Sequence, residues 1–196
     1  MSGEDASRAD ISIPGVQEEL VQALLDTGKP VVVVLMNGRP LTISKLTEQV
    51  PAIVEGWFLG TETGNAIADV LLGKYNPSGK LTMSFPRNVG QIPVFYNYRQ
   101  SGRPGTDKLT KWTNRFIDSP VSPLYPFGYG LSYTTFSYSA PRVSQKEFST
   151  NEILKVSVDV TNTGQYDGEE TIQLYIRDVI ASVTRPVKEL KGFKKI

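Results

Sequence analysis

The sequence predicts an α/β layer fold, with a mostly parallel sheet, followed by an antiparallel β-sandwich, and neither unit is complete. Three observations carry this prediction. Residues 11–86 alternate helical and strand signals around an unbroken β-branched run, Val31 to Val34. After Tyr133 the apolar period changes to two. Each half then offers too few elements to close: about three strands and two or three helices in the first, about four strands in the second.

The first element is a helix. Pro14 suits a first turn, Val16, Leu20, Ala23 and Leu24 recur at helical spacing, and Gly28 supplies a C-terminal stop. Val31 to Met36 follows without alternation, the pattern of a strand buried on both faces of a parallel sheet, and Asn37-Gly38-Arg39-Pro40 is the loop at its end. The apolar segment Ala52 to Phe58 leads into Gly60-Thr-Glu-Thr-Gly64 and a helix from Asn65 to Leu72, in which Ile67, Val70 and Leu71 share a face. Glu62 is placed to complement the dipole of that helix. Asn76 to Lys80 has the form of a tight turn with Gly79 available for positive φ. Leu81 to Phe85 alternates and stops at Pro86, as a short strand does.

Residues 91–132 form a connection rich in Gly, Pro, Asn, Tyr and basic residues, and loops this long are functional or are linkers. The β part, residues 133–196, opens with Phe136 and Tyr138. It continues through Leu154, Val156, Val158 and Val160, then Ile172, Leu174 and Ile176, with turns at Thr161 to Gly164 and Gln165 to Glu169. Short strands between turn signals suggest a sandwich of the immunoglobulin or fibronectin type III kind.

Composition excludes whole classes of chemistry. The chain has no Cys and no His, so thiol nucleophiles, Cys/His zinc sites, imidazole bases and disulfides are all absent. Lys plus Arg number 21 against 20 Asp plus Glu without blocks, which gives no field for a nucleic acid or an anionic membrane. The longest apolar run is far too short to cross a bilayer. The opening decapeptide is small, polar and acidic, unlike a signal peptide, so export would need a segment outside this sequence. Gly60 to Gly64 ahead of a helix invites a phosphate-loop reading, but it lacks the Gly-Lys-Ser/Thr ending and the spacing. Carboxylates, hydroxyls, Lys, Arg and Tyr are what remain for chemistry.

The stretch from Trp57 to Pro86, with its Gly60-Thr-Glu-Thr-Gly64 and Asn76-Pro-Ser-Gly-Lys80, and Tyr125-Pro-Phe-Gly-Tyr-Gly-Leu-Ser-Tyr-Thr134 closely resemble the C-terminal half of glycoside hydrolase family 3 β-glucosidases. Val160 to Gly164 and Arg185 to Phe193 resemble that family's fibronectin type III-like domain. The resemblance spans essentially the whole chain, in the family's order, and is nearest its bacterial periplasmic branch. It implies a parent enzyme with an N-terminal TIM-like barrel carrying an aspartate nucleophile, an α/β sandwich carrying a glutamate acid/base, and then the fibronectin-like domain. Residues 1–90 would then be the C-terminal part of the α/β sandwich and 133–196 an incomplete fibronectin type III-like domain. The barrel would be missing, and the substrate would be a β-glucoside or oligosaccharide cleaved without metal or cofactor in the periplasm or outside the cell.

Met1-Ser-Gly-Glu-Asp-Ala-Ser-Arg8 matches the family's acid/base loop, and the resemblance assigns the catalytic carboxyl to Glu4. Retaining cleavage needs two carboxyl groups about 5–5.5 Å apart, so Glu4 alone is expected to leave the chain inactive. Without the resemblance, Glu4 reads as a solvated charge near a chain end. Asp5 and Asp10 lie in the same loop, but Asp10 is read more simply as a turn residue or as a cap ahead of the helix near Pro14. Arg8 could orient a carboxylate or touch a sugar hydroxyl, but a solvated Arg is the simpler reading. Trp57 reads as core, whereas Trp112 and Arg115 in the long loop are candidates for an active-site rim. The rival expectations are a noncatalytic carbohydrate-binding or interaction module and another family activity such as that of a β-xylosidase.

Overall fold

The computed structural model describes residues 5–107, 111–149 and 151–196. Its first half is built on two parallel strands, β1 (Val32–Leu35) and β2 (Ala52–Glu55), in register from Val32 opposite Ala52 to Leu35 opposite Glu55. Parallel neighbours need a crossover, and here it contains the short helix α2 (Ser44–Gln49). Helix α1 (Gln17–Leu25) precedes the pair and ends where the Gly28 amide donates to the Leu25 carbonyl at φ +69°, the expected stop. The core is small: Leu35, Ile43, Leu46, Val50 and Phe85 are buried together, with Trp57, Leu124 and Tyr125 packed around them.

Several expectations change once the packing is seen. Val31–Met36 is not buried on both faces. Only Leu35 is buried, while Val32 and Met36 are about half exposed, because the described sheet has two strands and nothing covers its outer side. In α1 the stripe Val16, Leu20, Ala23 and Leu24 faces outward, and the core contact is made by Val21 and Leu25 from the opposite side. The last helix of this half, α3 (Thr63–Leu71), follows a 3₁₀ turn at Gly60–Glu62. Its Ile67 and Val70 are half-buried, but Leu71 is exposed.

Leu81–Phe85 does not form a strand. It follows residues 124–129 through a single bridge, Phe85 to Tyr125, and through hydrogen bonds from Leu81 N to Tyr129 O and Gly128 N to Leu81 O. Pro126 and the left-handed Gly128 (φ +81°) in the facing segment prevent a continuous ladder. Gly79 does not use positive φ either. The left-handed glycine of this region is Gly73, which terminates α3 with φ +71°.

The second half contains three antiparallel pairs among the described residues. Strand β3 (Phe136–Tyr138) pairs with β6 (Val160–Asn162), β4 (Arg142–Val143) with β5 (Val156–Ser157), and β7 (Thr171–Ile176) with β8 (Glu189–Lys195), the last with a bulge at Leu174/Tyr175. The run expected as one strand from Leu154 to Val160 is divided between two partners. The break falls at Asp159, whose amide and carbonyl bond Ser139 Oγ and Ser139 N, while its carboxylate takes both arms of Arg142.

Among its described residues the connecting segment, entered through a 3₁₀ turn at Val89–Gln91, is irregular, yet it is pinned down. Gln91 Nε2 donates to the Pro120 and Ser122 carbonyls, and Asp107 accepts from Val121 N, Ser122 N and Ser122 Oγ. These bonds hold the Asp107 carboxyl below the usual range, with the Ser122 hydroxyl contributing most. The two halves meet along residues 75–80. Asn76 donates to Asp167 O and accepts from Ser132 Oγ and Tyr133 N, Lys80 pairs with Glu170 at 3.0 Å, and Tyr96 stacks on Phe127 with Tyr175 edge-on.

Candidate active site

The carboxyl ends of parallel strands are where α/β sheets present ligand-binding loops, because helix starts and irregular backbone converge there. Leu35 and Glu55 end the two strands side by side. Beyond Leu35 runs the loop Asn37 to Pro40, and beyond Glu55 come Gly56 and Trp57. The N-terminal segment is laid against this edge. Thr42 N donates to Ile11 O at 2.9 Å, Ser12 bridges Thr42 in parallel, and the Arg39 guanidinium donates to the carbonyl of Arg8. Ile11 is buried and anchors the same segment. The N-terminal segment is thereby tied to the crossover after β1 at two places, Arg39 and Thr42.

Within the segment, Asp10 accepts from Ser12 N at 2.9 Å and Ser12 Oγ at 2.7 Å, and Arg8 pairs with its other oxygen at 3.2 Å. The backbone bond from Ser12, followed by the hydroxyl and the Arg8 charge, holds the Asp10 carboxyl below its ordinary range. Asp10 is therefore the turn residue of the two readings. It does not cap α1, whose N-cap is Val16 and carries no side-chain bond. Arg8 forms an exposed ion pair with Asp10. Glu4 lies outside the described residues, and Asp5, the first described, is exposed.

Glu55 is the residue that sequence reasoning passed over. It is the one charged side chain in the apolar stretch Ala52–Phe58, a signal visible in the sequence but one that fits a solvated strand end equally well. Here it turns inward. Its Oε1 accepts from Trp57 N at 2.9 Å, supporting Trp57 in a left-handed conformation (φ +45°) from which the indole packs on Phe85 at 5.9 Å. Its Oε2 is occluded and has no partner, and the same is true of Asn37 Oδ1. Burial pushes the Glu55 carboxyl up, against smaller opposing contributions from the Trp57 amide and the Asn37 side chain.

The aromatic candidates divide. Trp57 belongs to the core, as expected. Trp112 is 76% exposed, adopts φ +68° and carries Arg103 over its ring at 5.4 Å. No hydrogen bond, ion pair or ring contact among the described residues joins Trp112 or Arg115 to residues 5–12. Among the described residues no group of acidic side chains could hold a metal ion, and no helix is long and apolar enough to cross a membrane. Chemically, the edge offers two contacted carboxyls: Asp10 on the tethered segment, held by Ser12 and Arg8, and Glu55 at the end of β2, which accepts from Trp57 through one oxygen.

The model of the glycosyl hydrolase family 3 C-terminal domain matches residues 1–133, and that of the fibronectin type III-like domain matches residues 170–196. A periplasmic β-glucosidase from Salmonella typhimurium is 56% identical over 197 residues, covering 100% of this chain and 26% of its own length. A β-xylosidase from Formosa agariphila is 52% identical, covering 99% of this chain and 26% of its own length. Among solved structures, a β-glucosidase from Listeria innocua in complex with isofagomine superimposes with a TM-score of 0.94 at 47% identity, covering 99% of this chain and 27% of that one. The chain thus spans 26% of the length of these curated relatives.

Proposed function

This chain belongs to glycosyl hydrolase family 3, and from that premise we propose that it supplies the acid/base half of a retaining β-glucoside hydrolysis in a periplasmic or secreted enzyme. In this reading a carboxylate from a barrel domain attacks the anomeric carbon, while Glu4 protonates the departing glycosidic oxygen. Glu4 then takes a proton from the water that releases the sugar, so one carboxyl serves as acid and afterwards as base. To act as the acid near neutrality it needs a raised pKa, which a neighbouring carboxylate and a covering sugar supply. The 196 residues alone lack that neighbour and turn over nothing.

The observation that carries the reading is the family match itself: it begins at residue 1 and so includes the loop with Glu4. The tether of Arg8 and Ile11 to the crossover after β1 supports it, because a proton donor must be held within hydrogen-bonding reach of the bond it serves. The 52% identical β-xylosidase favours a second substrate, a β-xyloside, on the same machinery.

The test is an assay of aryl β-glucoside and aryl β-xyloside cleavage by the purified chain, alone and mixed with a barrel domain from a relative. No release by the chain alone and release by the mixture are expected, with Glu4→Gln lowering the rate of the mixture roughly 10²–10⁴-fold. Release by the chain alone that disappears in Glu4→Gln would show a complete site within these residues and overturn the proposal. The relative rates on the two glycosides choose between the sugars.

A further inference from the structure

We infer that residues 76–80, 128–134 and 164–173 form a seam without a hinge, closed at glycines that leave no room for a side chain, through which the two halves open as one unit. The seam acts independently of Glu4 and of the chemistry proposed for it. Units joined by a small polar interface move against one another by default, and the bonds between these halves are mainly polar. What opposes motion is the closeness of the backbones. At Gly130 a methyl group would be driven into the Gly79 carbonyl oxygen, and it would lie 3.2 Å from the Gly79 carbonyl carbon and 3.1 Å from Lys80 Cδ. The obstruction is main chain, which cannot swing aside as the end of a side chain can.

The same tightness recurs along the seam. A methyl group at Gly168 would lie 2.6 Å from Asn76 Nδ2 and 3.0 Å from Thr134 Cγ2, and one at Gly164 would strike Thr134 Oγ1. At Gly128, whose φ of +81° already favours glycine, it would enter the Gln173 side chain. That side chain is fixed at both ends, with Nε2 donating to Gly128 O at 3.0 Å and Oε1 accepting from Tyr175 Oη at 2.5 Å. Away from the seam, nothing lies within 4 Å of such a methyl group at Gly64, Gly102 or Gly192. Parting the seam also breaks bonds made across it: Ser78, Thr134 and Glu170 are buried there, and Lys80 Nζ, paired with Glu170, donates to Gly130 O at 2.9 Å. The line of contact continues from Leu81 N to Tyr129 O and from Phe85 N to Tyr125 O, and Phe85 packs on Trp57 just beyond β2. Strand β7 thereby buttresses the parallel pair from outside its sheet.

Gly79 and Gly130 meet at the seam, yet only Gly130 is obstructed, because nothing lies within 4 Å of a methyl group at Gly79. The experiment compares Gly130→Ala with Gly79→Ala in the full 196-residue chain by hydrogen exchange of two amides. Leu81, which donates to Tyr129, reports on the first half, and Thr163, which donates to Thr135, reports on the second. Gly130→Ala should speed both about tenfold or more, and Gly79→Ala should leave both within about twofold of wild type. Two variants that behave alike would show that the seam is not closed, and a faster Leu81 beside an unchanged Thr163 would show a hinge between the halves. Either result overturns the inference. Where Gly130→Ala does not fold, the wild-type chain decides: below the urea midpoint the two amides should exchange with the same dependence on urea, as a single opening requires, and distinct slopes overturn the seam. None of these readouts involves turnover, so a failure of Glu4→Gln to affect the mixed enzyme would strike the proposed function and leave the seam standing.

Discussion

Phe85 is 2% exposed and packs between Trp57 and Tyr125, with ring centroids 5.9 and 6.3 Å away, so the side chain joins the strand pair to the connecting segment. Its truncation leaves a cavity that these rings cannot fill without losing their own contacts. Phe85→Ala is therefore expected to lower stability by about 3–5 kcal/mol, measured by urea denaturation. A loss under about 1 kcal/mol would mean that the site collapses freely. At this scale the sequence is legible where one residue acts alone: Gly28 as a helix stop and Trp57 as core were both readable. Glu55 was not, because whether an acid at a strand end points to water or inward depends on what lies beyond the strand. Gly79 was misread for a related reason, since the chain makes its left-handed turn at Gly73, directly after α3.

At the scale of elements, the segment between α3 and the connection is joined to β7 by polar bonds rather than by a shared apolar core. Lys80 and Glu170 are 14% and 11% exposed, and Glu170 also accepts from Tyr138 Oη at 2.7 Å in β3. Removing one partner strands the other, so Lys80→Met is expected to cost about 3–5 kcal/mol, and Lys80→Met with Glu170→Leu to recover most of it. Thermal denaturation of the double-mutant cycle measures the coupling, and additive single effects would show the pair to be incidental.

Burial, then the bond and charge of Glu170, push the Tyr138 hydroxyl from 10.0 up to about 12. The folded chain thus keeps a proton that the unfolded chain releases. The sign follows: this contribution is full below pH 10 and is lost as pH rises through about 12. Tyr138→Phe should flatten the alkaline fall in melting temperature, and an unchanged profile would show that the Tyr138–Glu170 bond adds nothing to stability. Strands β3 and β7 were readable from period-two alternation. The segment that becomes β8, Glu-Leu-Lys-Gly-Phe-Lys-Lys, was not, because its four charges and Gly192 hide the pattern until β7 supplies a partner.

For the whole molecule, the accessible surface is 14288 Å², whereas a compact monomer of this mass exposes about 9,200 Å². Much of the excess is apolar: Leu20 on α1, Val32 and Met36 around β1, and Phe58, Leu71 and Leu72 around α3 are all more than 40% exposed. With the outer edges of β1 and β2 also unpaired among the described residues, the isolated chain should self-associate and bind an apolar dye. A relative's barrel domain should suppress both. Sedimentation that shows a monomer with a cooperative melt and no dye binding would contradict this. The outward stripe on α1 has the same origin: its spacing announces an apolar face, and the described residues bring nothing to cover it.

Family membership was determined by the sequence alone, because it resides in ordered local motifs that survive without their tertiary partners. The stop of α1 at Gly28, the parallel-strand run and the period change at Tyr133 were legible for the same reason: each is set by backbone sterics or by side-chain alternation within a few residues. Which face of α1 packs, where the run from Leu154 to Val160 divides, and that Glu55 turns inward beside Asn37 were decided only by the tertiary structure. Those outcomes depend on how much water a neighbouring element removes, and burial is a property of the surroundings that no local pattern encodes.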